Sequence, residues 1–241
     1  MKLGLIGKTL SHSFSQKYFN AKFLQLSLGG YSYHNIELES IDLFPKWRAQ
    51  NPLYQGLNVT IPYKKSILPF LDALSKEAKE IQAVNTIASK NGKLIGHNTD
   101  WIGFTESLRP LLKPWHREAL ILGNGGAAKA VAYSLKKLGI SFSICSRQPA
   151  TNCLSYAEAN ERLNGTFLVI NTTPLGSFPQ LNEMPAVNTE KLSKKHLIYD
   201  LIYNPSETLL LQKAKLAGAQ IKNGEQMLLI QAERAFEIWN E

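Results

Sequence analysis

Ala119-Leu120-Ile121-Leu122-Gly123-Asn124-Gly125-Gly126-Ala127-Ala128 is the stretch that decides the fold. Four apolar residues without a polar interruption read as a short strand buried on both faces, and they run straight into glycine. The turn fits G-x-G-x-x-G/A, with Ala128 in the last place. Glycine is needed there because a side chain would block both the tight reversal and the approach of backbone to a pyrophosphate, whose charge then sits at the N-terminus of the next helix. Gly123, Asn124, Gly125, Gly126 and Ala127 are therefore the candidate phosphate cradle.

The following strand tells which dinucleotide is expected. An acidic residue at its end would accept from the ribose 2′-hydroxyl of NAD. Phe142-Ser143-Ile144-Cys145 leads instead to Ser146-Arg147-Gln148, which puts a guanidinium where a 2′-phosphate would lie. NADP is the expected cofactor.

Outward from the turn, helices are predicted over 127–138, 156–163 and 208–217, and strands over 140–145, 167–170 and 197–201. Strands alternating with helices imply a parallel, doubly wound Rossmann-type sheet. Upstream the pattern is mixed. Residues 3–7 read as a buried strand, Phe19, Phe23 and Leu26 recur at helical spacing before Gly29-Gly30, and 31–38 is extended. Residues 41–50 and 75–81 look helical, and Pro62 ends a strand over 57–61. Strands 85–89 and 93–98 flank Asn91-Gly92, a pair that supplies the positive-φ residues of a tight hairpin. The expected fold is α/β in two domains: a mixed-sheet substrate domain over 1–101, completed by 225–241, and an NADP-binding domain over 102–224. The last helix, 226–239, carries Leu229, Ala232, Ala235 and Phe236 on one stripe and is expected to return to the first domain.

Bulk properties narrow the function classes. The chain has 241 residues, 44% of them apolar, enough for a packed interior. A net charge of +8 raises the question of nucleic acid, yet the basic residues are scattered in pairs such as Lys64-Lys65 and Lys194-Lys195, so no nucleic-acid partner is expected. Cys145 and Cys153 cannot make a disulfide framework, which fits a reducing cytoplasm, and no histidine or cysteine spacing suggests a metal. No apolar run is long enough for a signal-peptide core or a membrane span.

Polar residues gather at the ends of apolar strands: Ser11-His12-Ser13, Asn58, Thr60, Lys64, Asn85 and Asn98-Thr99-Asp100. Open α/β sheets bind ligands at such edges. Taken singly these have ordinary uses, since Ser11, Ser13 and Asp100 could cap helices and Lys64 could be a surface lysine.

Taken in order they resemble the shikimate dehydrogenase family. The resemblance is carried by Ser11-His12-Ser13, Asn58 through Lys64, Ala83-Val84-Asn85-Thr86, Asn98-Thr99-Asp100, the Gly123 turn, Asn171 through Gly176, Asp200 through Pro205, and Gly224 through Gln231. It implies reversible, NADPH-dependent reduction of 3-dehydroshikimate to shikimate, a step of aromatic amino-acid biosynthesis. By carry-over, Ser11, Ser13 and Tyr203 hold the substrate carboxylate, and Asn58, Thr60, Asn85, Asp100 and Gln231 meet its ring hydroxyls. Lys64 and Asp100 form the catalytic pair. Ser146 and Arg147 meet the 2′-phosphate with Gln148 as a further cofactor contact, while Thr172, Leu201 and Gly224 line the remaining cofactor cleft. The expected protein is cytoplasmic, a monomer or homodimer, with a small-molecule substrate and no membrane partner. An NAD-dependent quinate/shikimate dehydrogenase and a non-catalytic shikimate or quinate sensor are the alternatives. The chain departs from the family pattern at Gln82, at Trp101 beside the aspartate, at Ser146, and at Ser177-Phe178 after Gly176.

Overall fold

The structure, a computed structural model, describes all residues except His12 and residues 148–151. Gln148, expected as a cofactor contact, lies outside the described residues. The chain divides into two compact units, Met1–Thr99 with Ala232–Glu241, and Asp100–Gln231.

The first unit runs β1 (Lys2–Gly7), α1 (Phe14–Gln25), β2 (Ser32–Glu37), a 3-10 turn (Ile41–Leu43) continuing into α2 (Phe44–Gln50), β3 (Tyr54–Val59), β4 (Ala73–Leu74), α3 (Lys76–Ile81), β5 (Thr86–Lys90) and β6 (Lys93–His97). Its sheet has the order β2-β1-β3-β5-β6-β4. β1 pairs in parallel with β2 and β3, and β5 is antiparallel to β3, so the sheet is mixed as expected. The β5–β6 hairpin closes through Asn91 at φ 52° and Gly92 at φ 76°, the two positive-φ positions that the Asn-Gly pair supplies.

Two elements differ from the sequence reading by more than one residue. Helix α1 stops at Gln25 because Ser27 takes the left-handed conformation at φ 55°, so Leu26 is half exposed and only Phe19 and Phe23 are buried. Strand β3 starts at Tyr54 and ends at Val59, since the Tyr63 amide bonds back to the Thr60 carbonyl at 2.9 Å and turns the chain away, leaving Ile61 exposed.

The second unit contains α4 (Asp100–Leu108), β7 (Glu118–Leu122), α5 (Gly126–Lys137), β8 (Ser141–Cys145), β9 (Cys153–Leu154), α6 (Tyr156–Arg162), β10 (Leu168–Asn171), β11 (Leu197–Asp200), α7 (Leu209–Leu216), β12 (Gln220–Lys222) and the start of α8 (Glu225–Asn240). The sheet order is β12-β11-β10-β7-β8-β9, parallel throughout. Strands β10 and β11 are buried end to end, as expected of a sheet covered on both faces. The short strands β4, β9 and β12 sit at sheet edges and carry too few residues to show a period.

Helix α8 ends in the first unit. Ala232, Ala235, Ile238 and Trp239 are buried there with Leu3, Phe19, Phe23 and Tyr33, and Phe236 packs against them as expected; Ile238 and Trp239 extend the stripe, and Leu229 is not part of it. Gly56 makes room for the Trp239 indole, whose Nε1–H donates to the Ile87 carbonyl at 3.0 Å. Among the described residues no helix is long and apolar enough to cross a membrane, and no group of three or more His, Cys, Asp or Glu side chains could hold a metal ion.

Candidate active site

In the first unit the polar residues meet where the C-terminal end of β3 lies beside the start of β5, with Asn58 in register with Thr86. Alternation puts Asn58 on one face of a buried strand, where an unpaired amide would be costly, and every polar atom there finds a partner. The Asn58 Oδ1 accepts from the Tyr33 hydroxyl at 2.7 Å, and its Nδ2 donates to the Asn85 carbonyl at 3.1 Å and to Thr86 Oγ1 at 3.2 Å. The Asn85 side chain accepts from the Thr99 amide at 2.7 Å and donates to Thr99 Oγ1 at 2.9 Å. Asn58, Asn85, Thr86 and Thr99 are thus one connected, buried set. Thr60 follows directly after β3 and its amide donates to the Ile6 carbonyl at 2.9 Å. The Lys64 segment is held by the Val84 amide, which donates to the Lys64 carbonyl at 2.8 Å, and its side chain is half-buried.

The serine loop before α1 divides unevenly. Ser11 is exposed. Ser13 Oγ is buried and has no hydrogen-bond partner among the described residues. Ser15, in the first turn of α1 and not singled out from the sequence, lies near the Tyr33 hydroxyl. Burial pushes that tyrosine well above its ordinary range, so it stays a neutral donor.

In the second unit Asp100 is the first residue of α4 and is buried. One turn later Gly103 lies against α8, where a Cβ would fall 2.5 Å from the Met227 carbonyl oxygen and 3.2 Å from the Gln231 Cβ. That close approach, missed in the sequence, brings Gln231 beside the helix that Asp100 opens. Trp101 packs edge-on against Tyr133 of α5, with ring centroids 5.3 Å apart. Tyr203 is half-buried after β11. Before it, Asp200 receives the Asn171 amide at 3.0 Å, the Thr208 hydroxyl at 2.7 Å and the Ile202 amide at 3.0 Å, which pins the turn carrying Leu201. Burial raises this carboxyl to about 6.

The glycine turn has the form its sequence implies. Gly123 sits at φ 104°, where a Cβ would meet Thr172 Oγ1 at 2.8 Å, so only glycine is unstrained. Thr172 in turn donates to the Leu122 carbonyl at 2.7 Å. Gly125 caps α5, and a Cβ there would enter open space. The first turn of α5 holds no acidic residue, so its free N–H groups face no competing anion. A pyrophosphate fits this turn, and NADP would be held by it together with Ser146, half-buried, and Arg147, exposed, after β8. Buried Ala128 gives the close helix-to-sheet packing of the third small residue of the pattern.

Fold and site together define a two-unit α/β protein with a Rossmann-type dinucleotide-binding unit. The family model described as the shikimate dehydrogenase substrate binding domain matches residues 5–87. A shikimate dehydrogenase (NADP(+)) from Carboxydothermus hydrogenoformans is 39% identical, over 98% of this chain and 90% of the relative. The crystal structure of shikimate dehydrogenase from Aquifex aeolicus has a TM-score of 0.90 at 35% identity, covering 100% of this chain and 92% of that one. The Thermus thermophilus enzyme, solved with NADP(H) and shikimate, has a TM-score of 0.88 at 30% identity, covering 99% and 93%. The chain belongs to the shikimate dehydrogenase family.

Proposed function

We propose that this chain is an NADP-dependent shikimate dehydrogenase that interconverts shikimate and 3-dehydroshikimate, with Lys64 and Asp100 as its catalytic pair. The observation that carries it is the likeness, over 99% of the chain, to a relative whose crystal structure holds both NADP(H) and shikimate. Bound NADP supplies the hydride acceptor. The protein's own task is to hold the alcohol and take its proton. Asp100, at the start of α4, accepts a hydrogen bond from the reacting hydroxyl, and the Lys64 amine receives the proton as the hydride leaves carbon. Asn58, Thr60, Asn85 and Gln231 orient the ring hydroxyls. Ser13, with Ser11 and Tyr203, binds the carboxylate. Gly123 through Ala127 cradle the pyrophosphate, Ser146 and Arg147 read the 2′-phosphate, and Thr172, Leu201 and Gly224 line the rest of the cofactor cleft. The enzyme is cytoplasmic and acts as a monomer or homodimer. The test follows reduced nicotinamide absorbance with purified protein, offering NADP or NAD with shikimate or quinate. Turnover with shikimate and NADP well above the other three pairs is expected, and no turnover with any pair overturns the proposal.

A further inference from the structure

We infer that Tyr33 is a positioning residue that fixes which face of Asn58 meets the substrate, so that Asn58 accepts a hydrogen bond from a ring hydroxyl and donates none. This rests on the shikimate dehydrogenase reading of the same site.

The orientation of the Asn58 amide follows from its neighbours. The Asn85 carbonyl can only accept, so the atom 3.1 Å from it must be the amide nitrogen, and the oxygen faces Tyr33. Both hydrogens of Nδ2 are then used, one on the Asn85 carbonyl and one on Thr86 Oγ1. One lone pair of Oδ1 takes the Tyr33 hydroxyl, and the other is what remains for a ligand. A ligand group facing Asn58 must therefore bring a hydrogen, as an alcohol does and a ketone does not.

Tyr33 is itself held from every side. Its ring stacks on Phe19 with centroids 4.7 Å apart and lies 6.3 Å from Trp239. Its amide donates to Asn20 Oδ1 at 3.0 Å and its carbonyl accepts from Asn20 Nδ2 at 3.2 Å. The residue is 1% exposed, so it does not touch bulk solvent, and its hydroxyl is held on Asn58 of β3. Without the hydroxyl, Asn58 Oδ1 loses the partner that anchors it, and its position relative to the ring hydroxyls loosens.

The test is Tyr33→Phe, alone and combined with Asn58→Ala, assayed by steady-state kinetics alongside thermal unfolding. Tyr33→Phe should raise KM for shikimate about tenfold, the weight of a lost buried hydrogen bond, while KM for NADP stays within about twofold and kcat within about threefold. In the Asn58→Ala background the same change should add nothing further to KM for shikimate, because its effect passes through Asn58. Effects that multiply in the double variant, a Tyr33→Phe enzyme with unchanged KM for shikimate, or an equal rise in KM for NADP would each overturn the inference. If Tyr33→Phe does not fold, Asn58→Ala alone must show the same split between the two substrates, and an equal change in both overturns it. A parent inert with shikimate overturns this inference and the functional proposal together, whereas an active parent with an unaffected Tyr33→Phe overturns the inference alone.

Discussion

Gly224 stands so close to Leu201 that a Cβ on it would lie 3.1 Å from the Leu201 Cα and inside contact distance of its carbonyl carbon and oxygen. The Gly224 amide also donates to the Ile202 carbonyl at 3.0 Å, so the segment entering α8 is clamped to the turn after β11. Backbone cannot yield as a flexible side chain would. Gly224→Ala should therefore cost roughly 1–3 kcal/mol of stability, the usual penalty of overpacking, and should raise KM for NADP. Urea unfolding and coenzyme kinetics on one preparation check both.

The glycine turn allows fold and binding to be separated. Gly123→Ala combines a φ of 104° with a clash against Thr172 and should lose about 1–3 kcal/mol. Gly125→Ala enters open space at φ −86° and should unfold within about 0.5 kcal/mol of the parent. Its methyl would nevertheless occupy the approach of a pyrophosphate, so NADP affinity by fluorescence titration should fall about tenfold or more. Equal NADP affinity in parent and Gly125→Ala would remove the pyrophosphate from this turn.

The serines should not be equivalent. Ser13→Ala removes a buried hydroxyl that has no partner among the described residues and should raise KM for shikimate about tenfold, as expected for a lost bond to a carboxylate. Ser11→Ala, whose hydroxyl meets the carboxylate from an exposed position, should raise it less, about threefold. A larger effect at Ser11 than at Ser13 contradicts the assignment.

Much of this was legible in the sequence where the cause is local. The β7–Gly123–α5 unit and the Asn91-Gly92 hairpin appear as expected because steric demands on a few adjacent residues decide them. The tertiary partners were not legible. Tyr33 reads as one more apolar position of β2, and Gly103 as an interruption of α4. Each acquires its role from a chain segment distant in sequence: Asn58 for Tyr33, and Gln231 for Gly103. The end of α1 was misplaced because Ser27, not Gly29, takes the left-handed conformation.

Two buried histidines should make the second unit sensitive to acid. His116 Nδ1 accepts from the Lys113 amide at 3.1 Å while Nε2 faces the Lys195 carbonyl, and His196 Nδ1 accepts from the Ser193 amide at 3.0 Å while Nε2 faces the Leu163 carbonyl. Both rings are therefore neutral, with the proton on Nε2. Burial lowers both below their ordinary 6.5. The unfolded chain then takes up protons first as pH drops, so their contribution is complete above about pH 6.5 and is lost progressively below it. Asp200, raised to about 6, acts in the opposite sense, so the measurement is the difference between parent and a His116→Gln/His196→Gln variant. That difference in unfolding free energy should shrink from pH 7.5 to pH 5.5, a linkage effect absent if the rings do not titrate.

The most direct test of the catalytic assignment is kcat for shikimate oxidation by Lys64→Ala and by Asp100→Asn, with NADP affinity measured in parallel. Loss of about 10²-fold or more in kcat, the usual weight of a positioned acid or base, with unchanged NADP affinity is predicted for Lys64→Ala, and a clear fall for Asp100→Asn. Turnover by Lys64→Ala within a few-fold of the parent would contradict it.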